Sequence, residues 1–397
     1  MHRKPIWLVD EAERTAPRSF EGTRAYGCLT AVQRLCRGAR NRLRLTPAPT
    51  GDSALVNILQ RINWVRSAAL LAALSVAASA YGQAPVEPLG YVNSELRALA
   101  SRLIHAPVAT ESLQSRRPVI KYGPLPNGVT ERQVPGTASQ PPVQVFVINA
   151  AAAPAAPRGA ILYLHGGGYV AGDARDDLQR MARLAERLDC VIVSVQYRLA
   201  PATRFPGSLE DNYSALKWLH DNAHSLGVDA SRIAVLGESA GGGHAAMLTI
   251  AARDRKEVPV AFQALIYPML DDRTGSSRPV APTIGTLIWR PADNRFGWSA
   301  LLGRPAGSKR VPAGSVPARV AELSGLPPTF IEVGSIDLFA EEDIDFARRL
   351  VGAGVPTELL VVPGAYHGFQ YMSPKAEVSQ QFTAALEKAL ARALRGG

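Results

Sequence analysis

Past residue 128 the sequence alternates between two hydrophobic rhythms. Short apolar runs rich in β-branched residues fall at 143–148, 160–164, 190–197, 232–236, 260–267, 329–333 and 357–362, and each reads as a strand. Between them lie segments with helical spacing, at about 176–188, 208–225, 240–253, 341–353 and 374–394. The first of these places Leu178, Met181, Leu184, Ala185 and Leu188 on a single apolar stripe. Strands alternating with helices predict an α/β fold with a mostly parallel sheet covered on both faces. In such sheets ligands bind beyond the carboxyl ends of the strands, so those positions carry the functional reading. No internal repeat is present, which argues against a solenoid or a propeller.

Two stretches depart from this rhythm. Residues 81–128 hold one amphipathic helix candidate, 94–104, followed by a segment punctuated by Pro and Gly. Residues 272–326 are rich in Gly, Pro and Arg, contain Trp289 and Trp298, and show no strand–helix alternation. They are expected to form an excursion over the sheet edge that walls a pocket. Phe296 and Tyr366 are further aromatic candidates for that lining, with core packing the equal alternative.

Charge adds a separate picture of the first eighty residues. The formal net charge is +10, but residues 1–66 alone hold 12 Lys/Arg against 5 Asp/Glu. Most of the basic excess thus precedes the folded body, and the +3 left after Ala80 is too little for a phosphate-binding groove, so nucleic acid is not an expected partner. Residues 67–80, SAALLAALSVAASA, are uncharged, follow Arg61 and Arg66, and end in the small residues Ala78-Ser79-Ala80. That is the design of a secretory signal peptide, and it is too short to span a bilayer. The expected organisation is therefore a leader at 1–55, a signal segment at 56–80 with translation starting near Leu55 or Val56, and one domain at 81–397. With 56–80 acting as a signal peptide the mature chain is expected to be exported, to the periplasm or beyond, with no stable membrane insertion; without it the expected location is the cytoplasm. The mature chain keeps one thiol, Cys190, at the start of an apolar run, where a buried inert cysteine is expected. Three cysteines in all (Cys28, Cys36, Cys190) build neither a disulfide framework nor a thiolate zinc site.

Candidate chemistry sits at strand ends. Gly237-Glu238-Ser239-Ala240-Gly241 follows the run RIAVL and opens a helix rich in small residues. This is G-x-S-x-G in its strand–turn–helix setting, a sharp turn that exposes a serine hydroxyl. His165-Gly166-Gly167-Gly168 closes the run AILYL and is a far rarer string. Successive glycines leave backbone N–H groups uncovered, and with the amide of Ala240 they compose an oxyanion hole. His165 itself reads as a strut for that loop.

A serine hydroxyl needs an adjacent imidazole to become a nucleophile. His2 falls in the leader, His105 in the N-terminal segment, His220 and His224 at a helix end, and His244 one turn behind Ser239. His367, in the loop after the last apolar run, is left as the base. Its orienting carboxylate is Asp337, after the run TFIEV, with Asp271 and Asp272 after ALIYPML as alternatives. The chain order serine, acid, histidine favours Asp337. Glu341, Glu342 and Asp343 open the following helix, where its dipole stabilises carboxylates.

HGGG at 165–168, YRLAP at 197–201, GESAGG at 237–242, the Asp337 loop and HGF at 367–369 together resemble the hormone-sensitive lipase-like esterases of the α/β-hydrolase fold. The likeness covers about 130–394. It implies a carboxylic-ester hydrolase with triad Ser239, Asp337 and His367 and oxyanion donors Gly167, Gly168 and Ala240. His165, Gly166, Gly237, Glu238 and Gly241 support the motifs. Glu238 stands where relatives often carry Asp, and is expected to brace the cap or a loop. The cap is implied at 81–128 and 272–315. The partner implied is a small, short-acyl ester, with no metal or organic cofactor, and nothing in the sequence sets an oligomeric state. A lactonase or amidase with the same triad, or a non-catalytic small-molecule-binding relative, are the alternatives; retention of His367 argues against the last.

Overall fold

The computed structural model describes residues 89–103, 122–137, 140–150 and 156–395. The chain separates into two units, Met1–Gln83 and Ala84–Gly397, and every described residue belongs to the second. The expected leader and signal segment, His105, and residues 104–121 of the implied cap lie outside the described residues.

Eight strands form one sheet: β1 Val129–Val134, β2 Val143–Ile148, β3 Arg158–Leu164, β4 Val191–Gln196, β5 Val228–Glu238, β6 Phe262–Ile266, β7 Thr329–Gly334 and β8 Thr357–Val362. Their spatial order is β1-β2-β4-β3-β5-β6-β7-β8. β2 runs antiparallel to both its neighbours, and every other pairing is parallel. The helices are α1 Arg97–Leu103, α2 Leu178–Leu188, α3 Gly207–Asp221, α4 Ala240–Arg255, α5 Pro291–Leu302, α6 Ala340–Gly352, α7 Phe369–Met372 and α8 Glu377–Arg395. This is the expected α/β-hydrolase architecture.

Alternation along the strands divides the core between the two faces. Leu162, Val193, Val235, Leu265 and Ile331 face α3, α4 and α6. Ile161, Ile192, Leu236, Ile266 and Phe330 face α1, α2 and α8. Central strands are therefore apolar on successive residues, which is why they read as unbroken runs. Cys190 is fully buried in the second of these cores, as expected. Burial pushes its thiol pKa up to about 12, so it stays protonated and inert.

The structure adds three elements to those expected: β1, α5 and the single turn α7. β1 was not anticipated, because only its end residues, Val129 and Val134, are buried. α5 lies inside the segment read as lacking alternation. It starts at Pro291, and Asp293 accepts a hydrogen bond from the Arg290 amide at 3.1 Å. Asp293, Asn294 and Trp298 are all buried in it, so it has no plain polar face. The last expected helix also begins later than 374, at Glu377, with the single turn α7 before it.

Close approach at one position ties the two central layers together. A Cβ on Gly241, in the first turn of α4, would stand 2.1 Å from the carbonyl oxygen of Leu164 at the end of β3. Gly241→Ala is expected to destabilise the fold by about 1–3 kcal/mol, read as a lower urea midpoint; an unchanged midpoint would show that β3 and α4 can part at no cost.

Candidate active site

Ser239 stands between β5 and α4 with φ 55° and ψ −121°. Residues that carry a Cβ rarely adopt this backbone, and holding one there costs about 1–3 kcal/mol. The surroundings impose it. Ser239 N–H donates to Ile266 O at 2.9 Å, and Ser239 O accepts from the amides of Gly243 and Met269, each at 3.0 Å. A Cβ on Gly237 would stand 2.1 Å from Gly241 O, so the strand can turn into the helix only with glycine there.

The other two groups arrive on neighbouring strands. β7 and β8 pair in parallel up to Gly334 and Val362, so the loops that follow them emerge side by side. Ser335 N–H donates to Val362 O at 2.8 Å, Ile336 N–H to Ala365 O at 3.2 Å, and Gly364 N–H to Ser335 Oγ at 2.8 Å. These bonds carry Asp337 to His367, where Nδ1–H donates to Asp337 Oδ2 at 2.8 Å. An ionised carboxylate only accepts, so the ring proton belongs on Nδ1 and Nε2 is left as the acceptor. Ser239 Oγ–H donates to that Nε2 at 3.0 Å. Asp337 Oδ1 accepts from the Phe339 amide at 3.0 Å, and the imidazole sits between Tyr267 and Phe339, with centroids 4.6 and 5.4 Å away.

Asp271 and Asp272 are engaged elsewhere. Asp271 pairs with Arg273 at 2.8 Å and Asp272 with Arg319 at 2.7 Å. Glu342, expected only to open a helix, is buried and accepts from the amides of Leu270 and Asp271 at 2.7 and 3.1 Å. It fixes the turn after β6, a role invisible to a dipole argument.

The glycine loop curls beside the serine. Gly167 and Gly168 adopt φ of +123° and +59°; a Cβ on Gly168 would collide with the Trp289 ring at 2.1 Å. Among the described residues neither of their amides donates to a protein acceptor, and Ala240 N–H, at the first position of α4, has no partner within the helix. A Cβ on Gly166 would sit 3.5 Å from Ser239 Cβ, which places the loop beside the serine. The cleft over these groups has a volume of about 370 Å³ and is walled by Trp289, Tyr267 and Tyr371. Trp289 is thus the aromatic of 272–326 that reaches the cleft, whereas Trp298 and Tyr366 are core residues and Phe296 packs against the core.

His165 supports the loop from below: its ring stacks on Tyr197 at 4.2 Å, and Nδ1 lies 2.8 Å from Gly166 O. Tyr197 O–H donates to His165 O at 2.6 Å. Glu238 is bound by Arg180 at 2.7 Å and by the hydroxyl of Tyr371. It braces α2 and the segment after His367. Arg180, on the polar side of an amphipathic helix, carried no signal of this in sequence.

His244 packs edge-on against Tyr169 and Tyr197, with centroids 4.8 and 4.6 Å away. Burial, and His165 nearby, push its pKa down to about 3. Its ordinary value is about 6.5, so the unfolded chain binds the proton first on acidification. The stabilisation is whole above the ordinary value and is lost as pH falls toward the depressed one. His244→Phe keeps a ring and removes the titration. It is expected to narrow the drop in melting temperature between about pH 7 and about pH 4; an equal drop in calorimetry would place the acid sensitivity elsewhere.

Comparison with known proteins follows the same lines as this geometry. The model of the alpha/beta hydrolase fold family matches residues 161–371. Esterase LipI of Mycobacterium tuberculosis is 34% identical over 213 residues, which are 53% of this chain and 65% of LipI, just under two thirds of its length. Carboxylesterase NlhH of the same species is 35% identical over 240 residues, 58% of this chain and 73% of NlhH. Among solved structures, a bacterial heroin esterase superposes with a TM-score of 0.69 at 33% identity, covering 78% of this chain and 99% of its own. The architecture is that of an α/β hydrolase. The chain belongs to that family, in the hormone-sensitive lipase-like branch its motifs resemble.

Proposed function

We propose that the protein is a serine carboxylesterase acting on small, short-acyl esters through Ser239, His367 and Asp337. The observation that carries this reading is the continuous hydrogen-bonded line from Ser239 Oγ through His367 to Asp337, at 3.0 and 2.8 Å. His367 Nε2 takes the hydroxyl proton as Oγ attacks the ester carbonyl. The amides of Gly167, Gly168 and Ala240 stabilise the oxyanion. Asp337 holds the ring tautomer and balances the imidazolium. His367 then returns the proton to the leaving alcohol and activates the water that releases the acid from the acyl-enzyme.

A cleft of about 370 Å³ with Trp289 across the glycine loop favours a compact acyl group. The names of the relatives LipI and NlhH, esterase and carboxylesterase, favour the same chemistry. Export by the 56–80 segment belongs to this proposal, and N-terminal sequencing of the mature protein, expected to start near Tyr81, tests it.

Ser239→Ala is expected to abolish hydrolysis and fluorophosphonate labelling while leaving the melting temperature unchanged. Asp337→Asn is expected to lower kcat by roughly three to four orders of magnitude. Near-normal turnover in Asp337→Asn would remove Asp337 from the triad. Rates on p-nitrophenyl esters of increasing acyl length, against matched amides and lactones, test the substrate class; faster amide or lactone turnover would overturn it.

A further inference from the structure

A second cavity lies behind the cleft, between α2 and α8 over the floor of β6 and β7. Its volume is about 260 Å³. Met181 and Leu184 of α2 and Phe382 and Leu386 of α8 give it apolar walls, and Glu332 and Gln370 lie on its inner side. Glu238 and Tyr371 line both this cavity and the cleft, so they form the partition between the two.

Glu332 has no part in the proposed chemistry, yet it stands in a central strand with no exposed surface. Strand alternation puts it on the same face as Phe330, toward α8. Neither of its carboxyl oxygens has a hydrogen-bonding partner among the described residues, and neither does Oε1 of Gln370. Gln370 Nε2 is already committed, donating to the Tyr267 hydroxyl at 2.5 Å. The cavity therefore presents three oxygens without partners, the two of Glu332 and Oε1 of Gln370, and Gln370 Nε2 has committed one of its two N–H groups. Buried polar groups without partners are rare in folded proteins and call for an explanation. Of the rim cations, Arg180 is paired with Glu238 and Arg187 with Glu387, at 2.7 and 2.5 Å, while Arg183 is exposed at the mouth.

We propose that this cavity is a second ligand site, separate from the catalytic cleft, that takes a primary alkylammonium: head group on Glu332 and Gln370, aliphatic chain between α2 and α8. An ammonium offers three N–H donors and no acceptor, which matches the three oxygens when Glu332 is ionised. Burial, then the nearby charges of Glu238 and Glu358, push the Glu332 pKa upward, and a bound cation supplies the missing counter-charge.

Calorimetric titration of the full chain with hexylammonium tests the site, with hexyltrimethylammonium and 1-hexanol as probes lacking the N–H donors or the charge. Hexylammonium is expected to bind, and to bind tighter than either control. Glu332→Gln is expected to weaken it by at least roughly ten-fold without changing hydrolysis of a neutral ester. Thr383→Trp, on the exposed side of α8 at the cavity rim, is expected to block it without disturbing the core. The proposal is overturned if the wild-type protein does not bind hexylammonium, if hexyltrimethylammonium binds as tightly, or if affinity survives in Thr383→Trp.

Discussion

Everything at the cleft end of the sheet depends on the forced turn at Ser239. A serine in a backbone region that side chains avoid persists only where its neighbours leave no alternative. Three contacts supply that compulsion: the amide to Ile266 on β6, and the carbonyl to Gly243 on α4 and Met269 beyond β6. The turn is tight enough that Gly237 nearly touches Gly241, and α4 rides directly on the end of β3. The glycine loop leaves the end of that same strand. The hydroxyl and the uncovered amides are therefore positioned by one packing constraint rather than by two independent loops.

The imidazole is held by a different logic. Its loop is fixed to the Asp337 loop by backbone bonds across β7 and β8, and its ring by Tyr267 and Phe339. A further link runs through Glu238, the residue just before Ser239, to Tyr371, four residues past His367. Ser239 and His367 are thus joined twice, once through their own hydrogen bond and once through this buried carboxylate. Burial raises the Glu238 pKa, and the charge of Arg180 opposes that rise without cancelling it.

Much of this could be read before any coordinates, for a physical reason. Central parallel strands are buried on both faces and write themselves as apolar runs, and a strained turn or an open amide loop admits only glycine. Both constraints are local in sequence. What escaped was non-local. β1 carries Glu131, Arg132 and Gln133 on an exposed edge, so it shows no apolar run. α5 buries polar residues that find partners far away, as Asn294 does by donating to Thr274 O at 2.9 Å. The separation of cleft aromatics from core aromatics depends on which ring meets Gly168, and nothing near Trp289 in the chain announces that. Chain order favours Asp337 over Asp271 and Asp272, and the arginines that engage the other two are partners the sequence does not announce.

The ends of β3 and β5 opposite the cleft have their own architecture. Arg232 reaches across there to Leu394 O and Pro157 O, at 3.1 and 2.6 Å, and Gly159 lies directly against Leu394. The last turn of α8 is therefore moored at the pole remote from the chemistry. A polypeptide or solid support joined beyond α8 would emerge on that side, leaving the mouth of the cleft open to diffusing molecules.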